Sequence, residues 1–472
     1  MTRLSGILAL LLVLPLPPVA AHADATSGWI APWTTNPSYW QYRGKPVLLL
    51  GGSKDDNLFQ LPDLERQLDE LAAAGGNFIR NTMSARQDGG FEVYPFKALD
   101  NRRYDLTQWN DAYWARFERC LALSESRDII VQIEVWDRFD YSQQHWEQSP
   151  WRPANNVTYS PKESGLSNTY ADDAWRDRQP FFHTIPGTPG YTPRLDGVRN
   201  LQEGLVAKML SFSLNHGNVL YCMDNETSTP PAWGMHWMRF IRDAAKRRNV
   251  RVFTTDMFDD GYQPWRSQKY AHALNHPEAY TFLDISQVNS RSFNEDHWNR
   301  YRWFMEKVSA APRPVNHVKI YSDGETGWGS GTPVDGVERF WRNLIGGAAG
   351  CRFHRPGAGI GLNDTAKACI AAARHLEHLV KFWDVRPAQD LLHDRAEDEA
   401  YLAARPGEEY ILFLTDDGAV GLDLKDGPGS FEVHWFDIGT GVAGTVETIE
   451  GEGIAPLTAP GPGPWAAAII RP

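Results

Sequence analysis

Short apolar runs alternate with amphipathic stretches along most of the chain. PVLLLGG (46–52) reads as a strand, and LPDLERQLDELAAAGG after it places Leu64, Leu68 and Leu71 on one helical face, with Gly75-Gly76 as the stop. NFIRNTMS (77–84) is a second strand, followed by a helix carrying Trp114, Phe117 and Leu121 on one face. DIIVQIEVWD (128–137) is the third and NVLYCMDNE (218–226) the fourth, after a helix near 200–215. NVRVFTTDMFDD (249–260), TFLDISQVNS (281–290), HVKIYSDGET (317–326) and AAGCRFHRP (348–356) continue the series, with helical segments between them and AKACIAAARHLEHLVKFW (366–383) at its end.

Eight strands alternating with helices predict a (β/α)₈ TIM barrel, class α/β, over residues 24–390. A doubly wound open sheet is the rival. It would want a Gly-rich phosphate loop after the first strand, where this chain reads GGSKDDN. The long segment 137–200 lacks clear periodicity and is rich in Trp, Tyr, Pro and Asn. An insertion of that length after a barrel strand belongs to the C-terminal face, where loops carry function. From 391 to 472 the pattern changes to short alternating strands separated by DG, GPG, GTG and PGPGP turns, the signature of a small β-sandwich.

Composition narrows the picture further. Residues 1–23 show one early positive charge (Arg3), a short apolar run broken by prolines, and Ala21-His22-Ala23, which together read as a cleavable secretory signal peptide. Export to a secreted or periplasmic location is the expectation, and no second long apolar stretch predicts a membrane span. Removing residues 1–23 removes one positive and no negative charge, so the net charge of −12 becomes −13. Such an acidic protein is a poor nucleic-acid binder. Cys120, Cys222, Cys351 and Cys369 form no CxxC pair, so buried thiols are expected in place of a zinc site.

In a barrel of this kind the reactive groups lie just past the C-terminal strand ends. Those positions hold Lys54, Asp55 and Asp56; Arg80 and Asn81; Trp136, Asp137 and Arg138; Asp224, Asn225 and Glu226; Asp256, Asp259 and Asp260; Gln287 and Asn289; Asp323 and Glu325; and His354 and Arg355. No H-E-x-x-H helix and no G-x-S-x-G elbow occurs. The strand-end aspartates 256, 259 and 260 read more readily as helix-capping or solvated groups than as a cation site, so no metal or cofactor is expected. The remaining chemistry is a pair of carboxylates, Glu226 on strand 4 and Glu325 on strand 7, facing one another across the mouth. Two such groups are the minimal machinery for glycosidic hydrolysis, one protonating the leaving oxygen and one ionised.

Asn225-Glu226 on strand 4 together with a Glu on strand 7 resembles the clan A glycoside hydrolases. YWQYRGKPVLLLGGS, N-x-I-R-N on strand 2, KFWDVRP and HWFDIGTG in the β module resemble the apiosidase-like hydrolases, which pair the barrel with a collagen-binding-type β-sandwich. The resemblance implies Glu226 as acid/base and Glu325 as nucleophile in a retaining, exo-acting hydrolase of an oligo- or polysaccharide. Asp224 competes for the acid role and Asp323 for the nucleophile. Phe353-His354-Arg355 departs from the aromatic floor usual at strand 8 of that clan. Trp136, Trp146, Trp151, Trp233 and Trp328 are candidate stacking platforms. Lys54, Arg80, Arg86, Arg138, Arg291, His354 and Arg355 cluster near strand ends and suggest attraction of an acidic glycan, with ion pairing to the rim aspartates as the alternative. The competing readings are a non-catalytic glycan-binding barrel, and a different barrel enzyme such as a lyase or metal-dependent hydrolase.

Overall fold

The structure, a computed structural model, describes residues 28–86, 89–170, 179–226, 229–259, 263–322 and 329–472. The expected signal peptide, Asp260, Asp323, Glu325 and Trp328 lie outside the described residues.

The eight expected strands form one parallel sheet. They are β1 (Leu49–Gly52), β2 (Phe78–Thr82), β3 (Ile130–Asp137), β4 (Val219–Asn225), β5 (Thr254–Thr255), β6 (Leu283–Asp284), β7 (Val315–Ile320) and β8 (Gly350–Phe353). Pairing runs from β6 through β7, β8, β1, β2, β3 and β4 to β5, and a parallel bridge between Met257 and Asp284 closes the remaining joint. Every residue of β2, β3, β4 and β7 is buried, because interior side chains face the barrel and exterior ones face the helices. The helical layer comprises α1 (Leu64–Ala73), α2 (Asp111–Glu125), α3 (Asp196–Ser213), α4 (Pro231–Arg247), α5 (Gln268–Asn275), α6 (Asn294–Val308), α7 (Pro333–Ile345) and α8 (Asp364–Leu379).

Two strands are much shorter than their apolar runs. After β6 the Asp284 carboxylate accepts from the Ser286 amide (3.0 Å) and hydroxyl (2.5 Å), turning the chain into a helical turn over Ser286–Asn289. The segment between β3 and α3 contains short helical pieces, including Arg138–Tyr141, Gln143–Gln148 and Pro161–Ser164. Their aromatic side chains pack onto the barrel: Tyr141 stacks on Phe181 with centroids 3.9 Å apart.

The N-terminal side of the barrel is plugged from outside the repeat. Trp40, on a hairpin strand (Trp40–Tyr42), is fully buried, and its rings meet Phe253 and Phe282 edge-on. Its indole N–H donates to Asn316 (3.0 Å), Asn316 to Gln132 (3.2 Å), and Gln132 to Asp284 (2.6 Å). A polar ladder therefore crosses the barrel interior with each link satisfied, as burial requires.

The C-terminal module begins with the strand Arg386–Pro387 and contains a six-stranded and a three-stranded antiparallel sheet. The central strands of the larger sheet bury both faces, while its edge strand Val442–Glu450 is exposed. Leu402, Leu412, Val433 and Ile469 join the module's own core, while Tyr401, Ile411, Phe413 and Ala468 join the barrel core. Phe413 stacks on Trp341 of α7 at 5.8 Å, and Arg342 of α7 pairs with Asp398. The module thus buttresses the helices outside β7 and β8. The four cysteines are buried free thiols. No helix among the described residues is long and apolar enough to cross a membrane.

One position tests the packing of β1 against β2. A Cβ on Gly51 would lie 1.9 Å from the Phe78 carbonyl oxygen, a backbone atom that cannot move aside. Gly51→Ala is expected to lower unfolding free energy by about 3 kcal/mol, measured by urea denaturation; an unchanged midpoint would show that β1 and β2 can separate freely.

Candidate active site

Glu226 follows β4 directly, where its backbone turns out of the strand at φ 55°. A non-glycine residue in that region carries a cost of about 1–2 kcal/mol, and such strain concentrates at functional positions. The turn brings its carboxylate to the barrel mouth, where the side chain keeps 17% exposure. Asp224, two residues earlier, is fully buried, near enough to Arg138 and Tyr141 to act on their charge. Of the two strand-4 acids, Glu226 is the one that can meet a ligand.

Three donors converge on Glu226. Lys319 Nζ, from β7, stands 2.6 Å from Oε1, and Tyr321 Oη, just past β7, donates to the same oxygen at 3.0 Å. Arg138, after β3, lies 3.4 Å from Oε2 and also bonds Asp259. Gln287 in turn donates to Tyr321 Oη at 2.9 Å, which orients the phenol. Burial alone would raise the Glu226 pKa, but Lys319 and Arg138, with the hydrogen bonds from Lys319 and Tyr321, reverse that effect and hold it well below the usual carboxylate range. Among the described residues, the groups that touch Glu226 favour its ionised form.

Asn225 ties this cluster to its neighbours. It donates to Asp137 at 2.9 Å and accepts from Lys319 Nζ. Asp137 pairs with Arg86, which also holds Asp140 at 2.6 Å. Asp140 is pushed up to about 6 by burial and by its neighbour Asp137, against the opposing pull of Arg86. Beyond Arg86 a cavity of about 420 Å³ opens at the ends of β1, β2 and β8, lined by Asp55, Asp56, Ser84, Arg86 and Arg355 among others. A larger cavity of about 950 Å³ lies along α4 towards the N-terminal ends of β5 and β6, and none of the strand-end residues lines it.

Several expected ligand contacts prove structural. Arg80 is completely buried between Asp56 and Glu134, a barrel ion pair where no substrate reaches. Asn81 is buried and accepts from the Phe59 amide at 2.9 Å. Asn289 is buried in a network with His297, His317 and Asn343, and Gln287 serves Tyr321. Trp136 is packed against Trp233, Trp237 and Phe181 with 1% exposure. Trp146, Trp151 and Trp233 are likewise buried, so these four indoles belong to the core and not to stacking platforms. Sequence position put them near the mouth, but Trp146 and Trp151 pack inside the long insertion after β3, and its Phe181 and Phe182 cover Trp136 and Trp233.

The cationic rim is also neutralised from within. Lys54 pairs with Asp63 at 3.1 Å, and Arg355 with Asp56 at 3.0 Å. His354 lies 3.5 Å from the same carboxylate, packs edge-on to Tyr321, and is held below its usual pKa by burial. Arg86 and Arg138 are paired as described. Six of the seven groups that suggested an acidic ligand, Lys54, Arg80, Arg86, Arg138, His354 and Arg355, therefore lie beside carboxylates. Among the described residues no group of three or more His, Cys, Asp or Glu side chains could hold a metal ion.

Lys319, Tyr321 and Glu134 were missed in the sequence. Their signal was present: Gln132 and Glu134 in β3, and Asn316 and Lys319 in β7, are polar residues inside otherwise apolar strand runs. Such residues persist in a buried strand only with partners across the barrel.

No protein family description matches the chain, and no curated protein matches it. Its fold is shared with solved structures. A glycoside hydrolase family 5 protein from Bacteroides vulgatus ATCC 8482 superposes with a TM-score of 0.62 at 11% identity, covering 95% of either chain. A second protein, described as a glycoside hydrolase, gives 0.61 at 11% identity over 95% of this chain and 98% of its own. At such identities the likeness is one of architecture, and it spans both barrel and C-terminal module.

Two stability measurements follow from the ion pairs. Arg80→Met leaves Asp56 and Glu134 facing each other without their shared cation, and should cost about 3–5 kcal/mol in unfolding free energy. Because Glu226 has a lowered pKa when folded, its ionisation stabilises the fold above pH 4.5, its ordinary value, and this contribution fades as pH falls further. The Tm difference between native protein and Glu226→Gln should therefore be largest above about pH 5 and shrink in acid; a difference independent of pH would contradict the ion cluster.

Proposed function

We propose that this chain is a glycoside hydrolase acting on an oligo- or polysaccharide through two carboxylates, Glu226 and Glu325. The observation that carries the reading is Glu226 itself: a strained carboxylate delivered to the barrel mouth by β4, hydrogen-bonded by Tyr321 and flanked by Lys319 and Arg138. A fold shared from end to end with structures described as glycoside hydrolases supports it. Asn-Glu on β4 and Glu325 after β7 support a retaining reaction, in which one carboxylate bonds to the anomeric carbon while the other serves the leaving oxygen. The apiosidase-like resemblance of KFWDVRP and HWFDIGTG points the same way. Exo action is the part of the reading that rests on the apiosidase-like resemblance. Export rests on the first 23 residues.

The competing reading is a barrel that binds a glycan without cleaving it, which the shared fold alone would also accommodate.

Incubation with plant, algal and bacterial glycans, followed by chromatographic identification of released sugar, separates the two. Hydrolysis of at least one glycan is expected, with Glu226→Gln and Glu325→Gln each slowing it by about a hundredfold or more. Calorimetric binding without any released sugar would establish the second reading instead.

A further inference from the structure

We propose that the groove between α4 and the N-terminal ends of β5 and β6 is a second ligand site, at the opposite end of the barrel from Glu226, which holds an acidic polysaccharide by its carboxylates. The choice of a glycan as occupant rests on the hydrolase reading; the groove and its charge do not.

The chemistry begins in the sequence. In a chain of net charge −12, residues 239–251 carry six cations and one carboxylate. Arg239, Arg242 and Lys246 recur at i, i+3 and i+7, which places them on one face of α4 over a rise of about 10 Å. The chain then turns at Asn249, whose φ is 56°, and returns through Arg251 towards β5. These four side chains are exposed and line the cavity of about 950 Å³ described above. Asp243 and Glu278 share the lining, so cations outnumber carboxylates there by four to two.

The groove differs from the barrel mouth in how its charge is met. Among the described residues no carboxylate comes within 4.0 Å of any of the six cations in 239–251. At the mouth, Lys54, Arg86, Arg138 and Arg355 all have such partners. Part of the basic cluster has an ordinary cause. Lys246, Arg247 and Arg248 stand at the end of α4, where cations complement the helix dipole. That effect fades within a turn, so it does not account for Arg239 and Arg242 further back, or for Arg251 beyond the helix.

Two of the arginines are held in place. Arg242 donates to the Glu278 carbonyl, tying α4 to the turn before β6, and the Arg251 guanidinium lies 5.1 Å from the centre of the Phe253 ring. Neither contact neutralises the charge, and both lower the ordering cost of binding. A guanidinium presents a planar pair of N–H donors that matches a carboxylate. Salt at physiological strength screens charge beyond about 8 Å, so a ligand in the groove meets these cations before the net charge of the protein.

Shape and surroundings select the occupant. None of the exposed large apolar side chains lines the groove, which disfavours a lipid surface. A nucleic-acid duplex presents a broad anionic face to a protein that is acidic overall, whereas a single polysaccharide chain fits within a groove. Glu226 stands at the other end of the barrel, so a glycan held here anchors the protein and leaves its mouth open.

Calorimetric titration of the full chain with polygalacturonate, a polyuronate, tests the site. The native protein should bind it, more weakly as salt is added, and should not bind uncharged dextran. Arg239→Ser and Arg251→Ser, in variants shown to be folded by circular dichroism, should each weaken binding about tenfold, the effect of losing one charged hydrogen bond. Arg239→Glu combined with Arg251→Glu should abolish it. Native-like binding by these variants, or no binding by the native protein, overturns the proposal. Tighter binding of duplex DNA or of phosphatidylglycerol vesicles than of polygalacturonate would also overturn it, by giving the cations another partner. On a short glycan that the native protein cleaves, the groove variants should keep the native kcat/KM; a matching loss there would make the groove part of the reaction and defeat its role as a separate site. If the native protein cleaves no glycan, the hydrolase reading fails, while the binding measurement still judges the groove.

Discussion

The barrel depends on how it accommodates charge inside itself. Arg80 on β2 is completely removed from water and is compensated by Asp56 beyond β1 and Glu134 on β3. Asp56, just past β1, in turn faces Arg352 and Arg355, so one carboxylate serves cations from the strands on either side of β1, namely β8 and β2. An ion in a low-dielectric interior is tolerated only with partners in good geometry, and these partners lie on neighbouring strands. The pairing therefore also specifies strand neighbours and register, including β2 against β3, where Arg80 sits opposite Gln132.

The same constraint operates at the mouth, where it acquires chemical meaning. The cluster of Lys319, Arg138, Tyr321 and Glu226 is less deeply buried than the Arg80 cluster, and it includes a strained backbone. Glu226 combines a left-handed backbone with partial exposure at the barrel mouth. The cost is compensated by a rigid surround: β3, β4 and β7 are buried throughout, and the C-terminal sheet braces α7 behind the end of β7.

Much of the fold was legible because it is written locally. The eight apolar runs, the amphipathic helices and the change of pattern near the C-terminal module each depend on periodicity over a dozen residues. β5 and β6 were overestimated because an apolar run does not reveal where a side chain such as Asp284 captures the following amides and ends the strand. At the site, Glu226 was legible as a strand-end carboxylate, and Asp224 could be separated from it only once the turn at φ 55° was seen. The tryptophans were misread for a comparable reason. Nothing in a linear pattern says that Phe181 and Tyr141, from the long insertion, pack over Trp136 and its neighbours.

The sequence by itself determined the order and type of the elements, the barrel architecture and the placing of an acid at the end of the fourth strand, because these follow from side chains close together along the chain. The tertiary structure decided which charges meet. Lys319 and Glu226 are 93 residues apart, and Arg138 and Glu226 are 88 apart. Whether a rim cation attracts a ligand or neutralises a neighbour, and whether a carboxylate holds or releases its proton, depends on distances of a few ångströms across the barrel. Closure of the sheet sets those distances, and local periodicity carries no record of them.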